Sequence, residues 1–272
     1  MQWSVISAVN DERVLKSSLL NSPGIESAAE VILQRGYPSA AAAYNAAIQK
    51  ATTDLLVFVH QDVYLPEGWI DSVKKALEPL SLQDPNWGIV GVWGTLEGKH
   101  PVGCLYWTGD LGWEEPFEGA KEVESLDEVV LIFRKSSGLV FDERLPGYHL
   151  YGADLCMEAI SRGKKCYAIS ALCIHNTNTE RFLPLQFWKC YLFMRRKWKD
   201  RLPIDTPCTR ITFWCWPIIR WHLVCARDVV LGRRKKLSRV ENPGEIYDTL
   251  LARGVVPPAR VQARASAPAT GE

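Results

Sequence analysis

The chain has 272 residues, of which 47% are hydrophobic and 23% are charged, a balance typical of a globular protein. This length accommodates one α/β domain of about 200 residues together with an appendage. The formal net charge is only +1, which excludes a protein that is basic over its whole surface.

The charge is nevertheless unevenly distributed. Residues 181–239 contain 15 basic and 3 acidic side chains, a net charge of +12, so the rest of the chain carries −11. This asymmetry indicates that the segment meets an anionic partner, either phosphates or an acidic membrane surface. We therefore keep a peripheral membrane contact through residues 181–240 as one hypothesis. No RNA-binding motif accompanies the segment, so we do not expect nucleic acid as a partner.

Two features bear on the compartment. The polar residues 10–13 interrupt the first apolar run, so the start of the chain does not resemble an export signal. The eight cysteines include no Cys-x-x-Cys pair, which argues for free thiols in a reducing compartment rather than a zinc knuckle. We expect a cytoplasmic protein, with peripheral attachment to the inner face of the membrane held open.

The apolar stretch from Ile211 to Leu231 is the most membrane-like part of the chain. Pro217 and three charged residues interrupt it, and its uninterrupted beginning is too short to span a bilayer. If this stretch contacts lipid, we expect it to lie along the surface.

The first half of the chain alternates between strand and helix patterns. The apolar, β-branched runs predict strands, and the alanine-rich run after Ser39, a good N-cap, predicts a helix. The uninterrupted run Leu55–Val59 predicts a central strand buried on both faces. In order, the predicted elements are strand 3–9, helix 14–20, strand 29–33, helix 40–50, strand 55–59, helix 69–80 and strand 88–93. This alternation indicates a doubly wound α/β sheet.

The second half is more mixed. Residues 97–117 are rich in glycine and aromatic residues and predict loops and hairpins. Beyond them we predict strand 129–133, helix 152–162, strand 166–174 and an aromatic, basic helix 182–198. The tail from about residue 255 has many small residues and prolines and is expected to be disordered.

Polar side chains follow several of the predicted strands. In open α/β sheets, ligands bind beyond the carboxyl ends of the strands. Three such groups fall there: Asn10-Asp11, His60-Gln61-Asp62 and His175. Carboxylate and imidazole side chains are suitable ligands for Mn²⁺ or Mg²⁺. A divalent cation held there could bridge the two phosphates of a nucleotide-sugar and stabilise charge on the leaving diphosphate.

Five segments together carry a resemblance to a known family: 38–48, 51–59, the His60-Gln61-Asp62-Val63 motif, 141–144 and 148–160. They resemble family 2 glycosyltransferases of the GT-A fold over about residues 2–180, and most closely a glycosyltransferase-like subgroup with a His-Gln-Asp donor motif. The resemblance implies a GT-A-like, Rossmann-like α/β fold with a mixed, mostly parallel sheet flanked by helices. It also suggests a GT-A domain at 1–180, a helical basic and aromatic region at 181–254, and a disordered tail at 255–272.

The resemblance also implies roles for individual residues. Asp62 and His175 would hold Mn²⁺ or Mg²⁺, and Asp154 would be the general base of an inverting transfer. The donor, a nucleotide-diphosphate sugar, would be bound by Ala8, Asn10, Asp11, Arg35, Asn45, His60, Gln61 and Asp127. The acceptor would be a glycan or a lipid-linked sugar. Neither the sugar nor the base can be identified from these residues.

Two departures from the family pattern leave alternatives open. His60 stands where the family has an aspartate, and Ala153 stands where it has a glutamate. A non-catalytic module that binds nucleotide-sugar or a membrane surface is therefore an alternative. Asp154 could also simply cap its own helix. A third hypothesis, a sugar nucleotidyltransferase, needs a glycine-rich phosphate loop after the first strand, and residues 7–11 show none.

Overall fold

A computed structural model describes residues 1–96, 100–107, 110–113, 117–178, 182–233 and 237–254. The tail that we predicted to be disordered, 255–272, lies outside these ranges, so that prediction is not tested. The strands are β1 (Trp3–Val9), β2 (Glu30–Arg35), β3 (Leu55–Val59), β4 (Val63–Tyr64), β5 (Ile89–Gly91), β6 (Trp93–Thr95), β7 (Pro101–Trp107), β8 (Asp110–Trp113), β9 (Ala120–Val123), β10 (Ser125–Leu126), β11 (Val130–Arg134), β12 (Cys166–Ile169), β13 (Cys173–His175), β14 (Ile204–Asp205) and β15 (Arg210–Ile211).

The helices agree closely with the predicted positions in the first 200 residues. They are α1 (Glu12–Ser17), α2 (Ala40–Lys50), α3 (Trp69–Gln83), α4 (Tyr151–Ser161), α5 (Leu185–Lys197), α6 (Trp216–Val230) and α7 (Gly244–Ala252). Ser39 caps α2 as predicted, because its hydroxyl accepts a hydrogen bond from the backbone N–H of Ala42 at 3.2 Å. Within the described part of the chain, no helix combines the length and apolarity needed to cross a membrane.

The larger sheet has seven strands in the order β2-β1-β3-β11-β5-β12-β9. Strand β3 is an interior strand next to the middle strand β11, and its five residues are all buried, as its uninterrupted apolar run predicted. The predicted α/β class, a large mixed sheet flanked by helices, is confirmed. Because β11 lies antiparallel between β3 and β5, and β9 lies antiparallel to β12, the sheet contains three parallel and three antiparallel pairings.

The predicted strand 166–174 is two strands in different sheets. Its first part, β12, belongs to the larger sheet, whereas β13 lies in a second sheet of order β10-β6-β7-β13-β4, with β8 paired to β7. In that second sheet His175 pairs with Val63. The crossover between sheets therefore places His175 next to the residue that follows Asp62.

The chain beyond residue 181 packs against this scaffold. Helix α5 contributes Phe187, Cys190, Tyr191 and Met194 to the same hydrophobic core as the sheet. Residues 237–254, which we call the C-terminal strap, end in α7, whose Leu250 packs against Ile174 of β13. The strap thus lies on the same side of the molecule as the ends of β3 and β13.

Candidate functional site

A cavity of about 230 Å³ opens at the carboxyl ends of β1 and β3. These two strands are parallel neighbours, so the residues that follow them meet at one edge of the sheet. The cavity is lined by Ala8, Val9, Asn10, Tyr44, His60, Gln61, Asp62, Tyr148, Tyr151 and Arg239.

The side chains of His60, Asp62 and His175 converge at this edge. One ligand atom from each lies within 4.8 Å of the others, and these three form the one such group among the residues that the structure describes. His175 Nε2 lies 3.3 Å from Asp62 Oδ1. Two imidazoles and a carboxylate fit a divalent transition metal such as Mn²⁺ better than Mg²⁺, which prefers oxygen ligands. The residues present therefore fit the cation that the sequence predicted.

Burial and neighbouring charges set the ionisation of this cluster. Burial, helped by the neighbouring His175, lowers the pKa of His60 to about 4, so His60 is neutral at pH 7 and keeps a lone pair for a cation. Its Nε2 lies 2.7 Å from the hydroxyl of Tyr151. That hydroxyl lies 3.3 Å from the backbone carbonyl of Glu128, and the two contacts orient the imidazole.

Asp62 is 7% exposed and remains ionised. Burial acts to raise its pKa, but the two histidines and Arg239 outweigh burial and hold the pKa well below its usual range. For His175, burial acts to lower the pKa, but the charge of Asp62 dominates and raises it. Arg239 Nη2 donates to Asp62 Oδ2 at 3.0 Å. The carboxylate therefore has a cationic partner on each oxygen when His175 is protonated.

Gln61 joins the loops that follow β1 and β3. Its side-chain oxygen accepts hydrogen bonds from the backbone N–H groups of Asn10 at 2.9 Å and Asp11 at 3.1 Å, and its amide donates to Asn10 Oδ1. The carboxylate of Asp11 caps α1 by accepting from the N–H groups of Arg13 and Val14. Gln61 and Asp11 thus fix the loop, and Ala8, Asn10 and Gln61 line the cavity.

Two residues predicted to bind the donor are engaged elsewhere. The amide of Asn45 bonds to the backbone N–H and the carbonyl of Phe141, both at 2.9 Å, and does not line the cavity. Asn45 therefore tethers the segment before α4 to α2. The guanidinium of Arg35 pairs with Glu12 at the surface. Neither side chain is among the lining residues, and the assignment of both to the donor stays a prediction.

Asp154 is also placed away from the cavity. It is 2% exposed, and its carboxylate contacts Lys197 Nζ at 2.8 Å and the indole N–H of Trp198 at 2.7 Å. Lys197 additionally lies 3.0 Å from Asp142. The carboxylate thus serves as the anchor for the end of α5. Both oxygens are thus bonded inside the protein, and the assignment of Asp154 as general base stays a prediction.

Asp127 lies closer to the metal cluster. Its Oδ1 accepts from the N–H of Val129 at 3.1 Å, and the carbonyl of Val129 accepts from the N–H of His60 at 3.1 Å. Burial raises the pKa of Asp127, and the neighbouring charge of His175 opposes that rise. Of the two acidic residues assigned to the sugar and acceptor, Asp127 is therefore the one held beside the histidines.

Sequence reasoning did not assign Tyr44, Tyr148, Tyr151 or Arg239 to the site, although all four line the cavity. Tyr148 and Tyr151 belong to the motif that carried the family resemblance, which could have identified them. Arg239 lies 177 positions beyond Asp62 in the chain. It is one of several basic residues in its segment, so the sequence did not single it out.

A larger cavity, of about 370 Å³, lies at the opposite ends of the strands. Its two charged lining residues are Asp54, which accepts from the backbone N–H and hydroxyl of Ser136, and Arg134, which donates to the carbonyl of Pro85. Both charged groups therefore hold loops together through these hydrogen bonds. The smaller cavity is therefore the better candidate site, because its charged groups converge on one point.

The structural relatives of the chain are distant. TarS from S. aureus is 15% identical with a TM-score of 0.46, over 75% of this chain and 40% of that one. A structure of GalNAc-T7 with UDP, GalNAc and Mn²⁺ is 10% identical with a TM-score of 0.45, over 64% of this chain and 44% of that one. At these identities and TM-scores, neither likeness carries a conclusion about donor or acceptor.

Sequence comparison gives a firmer result. A protein from Fuscovulum blasticum, described as ATP synthase subunits region ORF 6, is 33% identical over 119 residues. The match spans 42% of this chain and about half, 48%, of that relative. The model of a family described as glycosyltransferase-like matches residues 4–186, which is more than half of the chain. The chain therefore belongs to this glycosyltransferase-like family.

Proposed function

We propose that this chain is a metal-assisted glycosyltransferase that moves a sugar from a nucleotide-diphosphate donor, in the manner of family 2 enzymes. The observation that carries the proposal is the convergence of His60, Asp62 and His175, of which His60 and Asp62 line the cavity beside β1 and β3. A cation held by these three side chains would neutralise charge on the leaving diphosphate. The imidazole donors favour Mn²⁺ over Mg²⁺ in this role.

The surrounding residues have separate tasks in the proposed reaction. Ala8 and Asn10 contact the nucleoside, and Gln61 holds their loop through its bonds to the Asn10 and Asp11 backbone. Asp127, held beside the histidines by its bond to the N–H of Val129, receives the proton of the acceptor hydroxyl, because its raised pKa suits proton transfer. Attack from that side inverts the anomeric centre. Asp154 has no part in this scheme.

A test of the donor site is the release of nucleoside diphosphate from UDP-, GDP- and dTDP-sugars with Mn²⁺, with Mg²⁺ and with chelator. We expect release by the wild type with one donor and Mn²⁺, and at least 100-fold less by Asp62→Ala. Asp54→Ala is the matched control, since this aspartate lies at the opposite cavity. Equal release by wild type and Asp62→Ala contradicts the proposal.

A binding module without transfer is the second candidate function. The observation that favours it is the ion pair between Arg239 and Asp62, which occupies one oxygen of the proposed metal ligand. Such a module binds a nucleoside diphosphate, measured as a rise in melting temperature, yet releases none from any donor sugar. The two assays together therefore separate an enzyme from a binding module.

We also propose that the acceptor is a glycan or a lipid-linked sugar reached at a membrane surface. Helix α6 turns apolar residues outward, and Trp214 just before it is 77% exposed. Arg220 and Arg227 lie on the same exposed side, in a segment whose net charge is +12. The outward apolar residues of this face are Trp216, Ile219, Leu223 and Val230. An exposed apolar stripe flanked by arginines suits an anionic bilayer surface.

Vesicle sedimentation tests this contact. We expect the wild type to sediment with vesicles containing phosphatidylglycerol, to remain in solution with pure phosphatidylcholine, and to dissociate at high salt. Leu223→Glu should abolish sedimentation. Leu82→Glu is the matched control, because Leu82 is an exposed leucine on α3. Equal sedimentation of both variants contradicts the assignment of the α6 face.

A further inference from the structure

The C-terminal strap is attached directly beside the candidate metal cluster. Asn176, which is 1% exposed, donates to the carbonyl of Val240 and accepts from its N–H, both at 2.9 Å. The backbone N–H of Asn176 also donates to the carbonyl of Asp62 at 2.8 Å. One buried amide therefore fixes the strap to the residue that follows His175. The strap lies beyond the segment matched by the family model.

This attachment delivers one guanidinium into the cavity. Arg239 Nε donates to the carbonyl of Asn176 at 2.9 Å, and its backbone N–H donates to Asn178 Oδ1 at 3.0 Å. Its Nη2 reaches Asp62 Oδ2 at 3.0 Å. The side chain of Arg239 is 31% exposed and lines the cavity. The arginine is thus held by its backbone N–H and its Nε, while its Nη2 reaches the site.

Arg239 can neutralise either of two anionic groups, the carboxylate of Asp62 or the diphosphate of a bound nucleotide. A buried carboxylate without a cationic partner is costly, which accounts for the ion pair with Asp62. A guanidinium also matches the geometry of phosphate oxygens and binds them with two parallel hydrogen bonds. When a cation is bound to Asp62, that carboxylate no longer needs the arginine. The guanidinium of Arg239 is then free to bind the diphosphate of a donor in the cavity.

We propose that Arg239 is the diphosphate-binding residue of the donor site, delivered by the C-terminal strap and held on Asp62 until a cation takes its place. This assignment rests on the proposed function. It makes the strap a wall of the donor site, and it predicts selectivity for diphosphates over monophosphates. It also explains why a cavity lined by aromatic rings and a carboxylate includes a guanidinium from so distant a part of the chain.

Calorimetric titration of three proteins tests the assignment: the wild type, Arg239→Ala and Arg239→Lys. The probes are Mn²⁺ alone and UDP, GDP, ADP, CDP and dTDP with their monophosphates, each with and without Mn²⁺. Arg253→Ala is the matched control, because Arg253 is an exposed arginine of the same strap. The melting temperature of each variant reports whether its fold is retained.

We expect Arg239→Ala to weaken diphosphate binding in Mn²⁺ by about 10-fold to 100-fold, the effect of a lost charge-assisted hydrogen bond. Monophosphate binding should change less than twofold, and Mn²⁺ alone should bind as tightly or more tightly. Arg239→Lys should recover part of the loss, since it keeps the charge but not the fork.

Three results overturn the assignment. Diphosphate binding that is unchanged or tighter in Arg239→Ala shows that the arginine only blocks the site. Equal losses for diphosphate and monophosphate, with a lowered melting temperature, show that it only holds the strap. A wild type that binds no nucleotide in any metal overturns the proposed function itself, which distinguishes that failure from the other two.

Discussion

Replacement of Asp154 by asparagine separates an anchoring role from a catalytic one. We predict that Asp154→Asn lowers the free energy of unfolding by about 2 kcal/mol and leaves nucleoside-diphosphate release within about twofold of the wild type. The reason is that the carboxylate faces Lys197 and Trp198 at the junction of α4 and α5, rather than the cavity.

The magnitude follows from the contacts that remain. Removing one partner of a buried ion pair costs about 3–5 kcal/mol when the other charge is left alone. Lys197 is not left alone, because Asp142 lies 3.0 Å and Glu158 lies 3.8 Å from its ammonium group. The asparagine oxygen can still accept from the indole N–H of Trp198. Both features bring the expected cost to the lower end of that range or below it.

The assay is urea unfolding at pH 7, run beside donor turnover on the same preparations. Asp142→Asn is the matched control, since Asp142 shares Lys197 but is 14% exposed and also pairs with Arg144. We expect a smaller loss of stability in that variant. A loss of turnover above 100-fold with unchanged stability in Asp154→Asn refutes the reasoning and restores Asp154 as the general base.

Three further changes test the structure. Asn45→Ala removes the hydrogen bonds to the backbone N–H and carbonyl of Phe141, so we expect the free energy of unfolding in urea to fall by about 1–3 kcal/mol while nucleotide affinity stays unchanged. Weaker nucleotide binding at full stability contradicts the role of Asn45 as a tether. Burial, aided by Asp127, raises the pKa of Glu128 from 4.5 to about 8, so its contribution to stability is present below pH 4.5 and is lost as pH rises through 8. Glu128→Gln should therefore lose less stability between pH 5 and 8 than the wild type, and parallel pH profiles refute this. Gly103→Ala places a Cβ 2.1 Å from the carbonyl oxygen of Val92 at a φ of +125°, so we expect a fall in melting temperature of more than about 5 °C; an unchanged value contradicts the close approach.

Local patterns determined much of the chain. The apolar run of β3 predicted a buried central strand, and Ser39 predicted the start of α2, because burial on both faces and capping are properties of short segments. The polar residues after β1 and β3 were also readable, since parallel strands end at one edge of a sheet. The sequence therefore predicts that Asn10, His60 and Asp62 lie together, and all three line the same cavity.

Other features depended on contacts between distant segments. The sequence showed one strand from 166 to 174, whereas the fold divides it between two sheets and so brings His175 to Asp62. Similarly, the motif around Asp154 resembled a catalytic one, but its partner Lys197 comes from another helix. A motif specifies the residue type at a position but not the hydrogen-bond partners of its carboxylate. Those partners depend on which side chains the tertiary packing brings beside it.

The C-terminal strap is the clearest case. The sequence determined that Arg239 is basic and lies in a basic segment, and nothing more. Tertiary structure decided that Asn176 holds Val240 and that the neighbouring guanidinium meets Asp62. The physical reason is that hydrophobic periodicity and helix capping are properties of a few neighbouring residues. The pairing of buried charges depends instead on which segments the whole fold brings into contact.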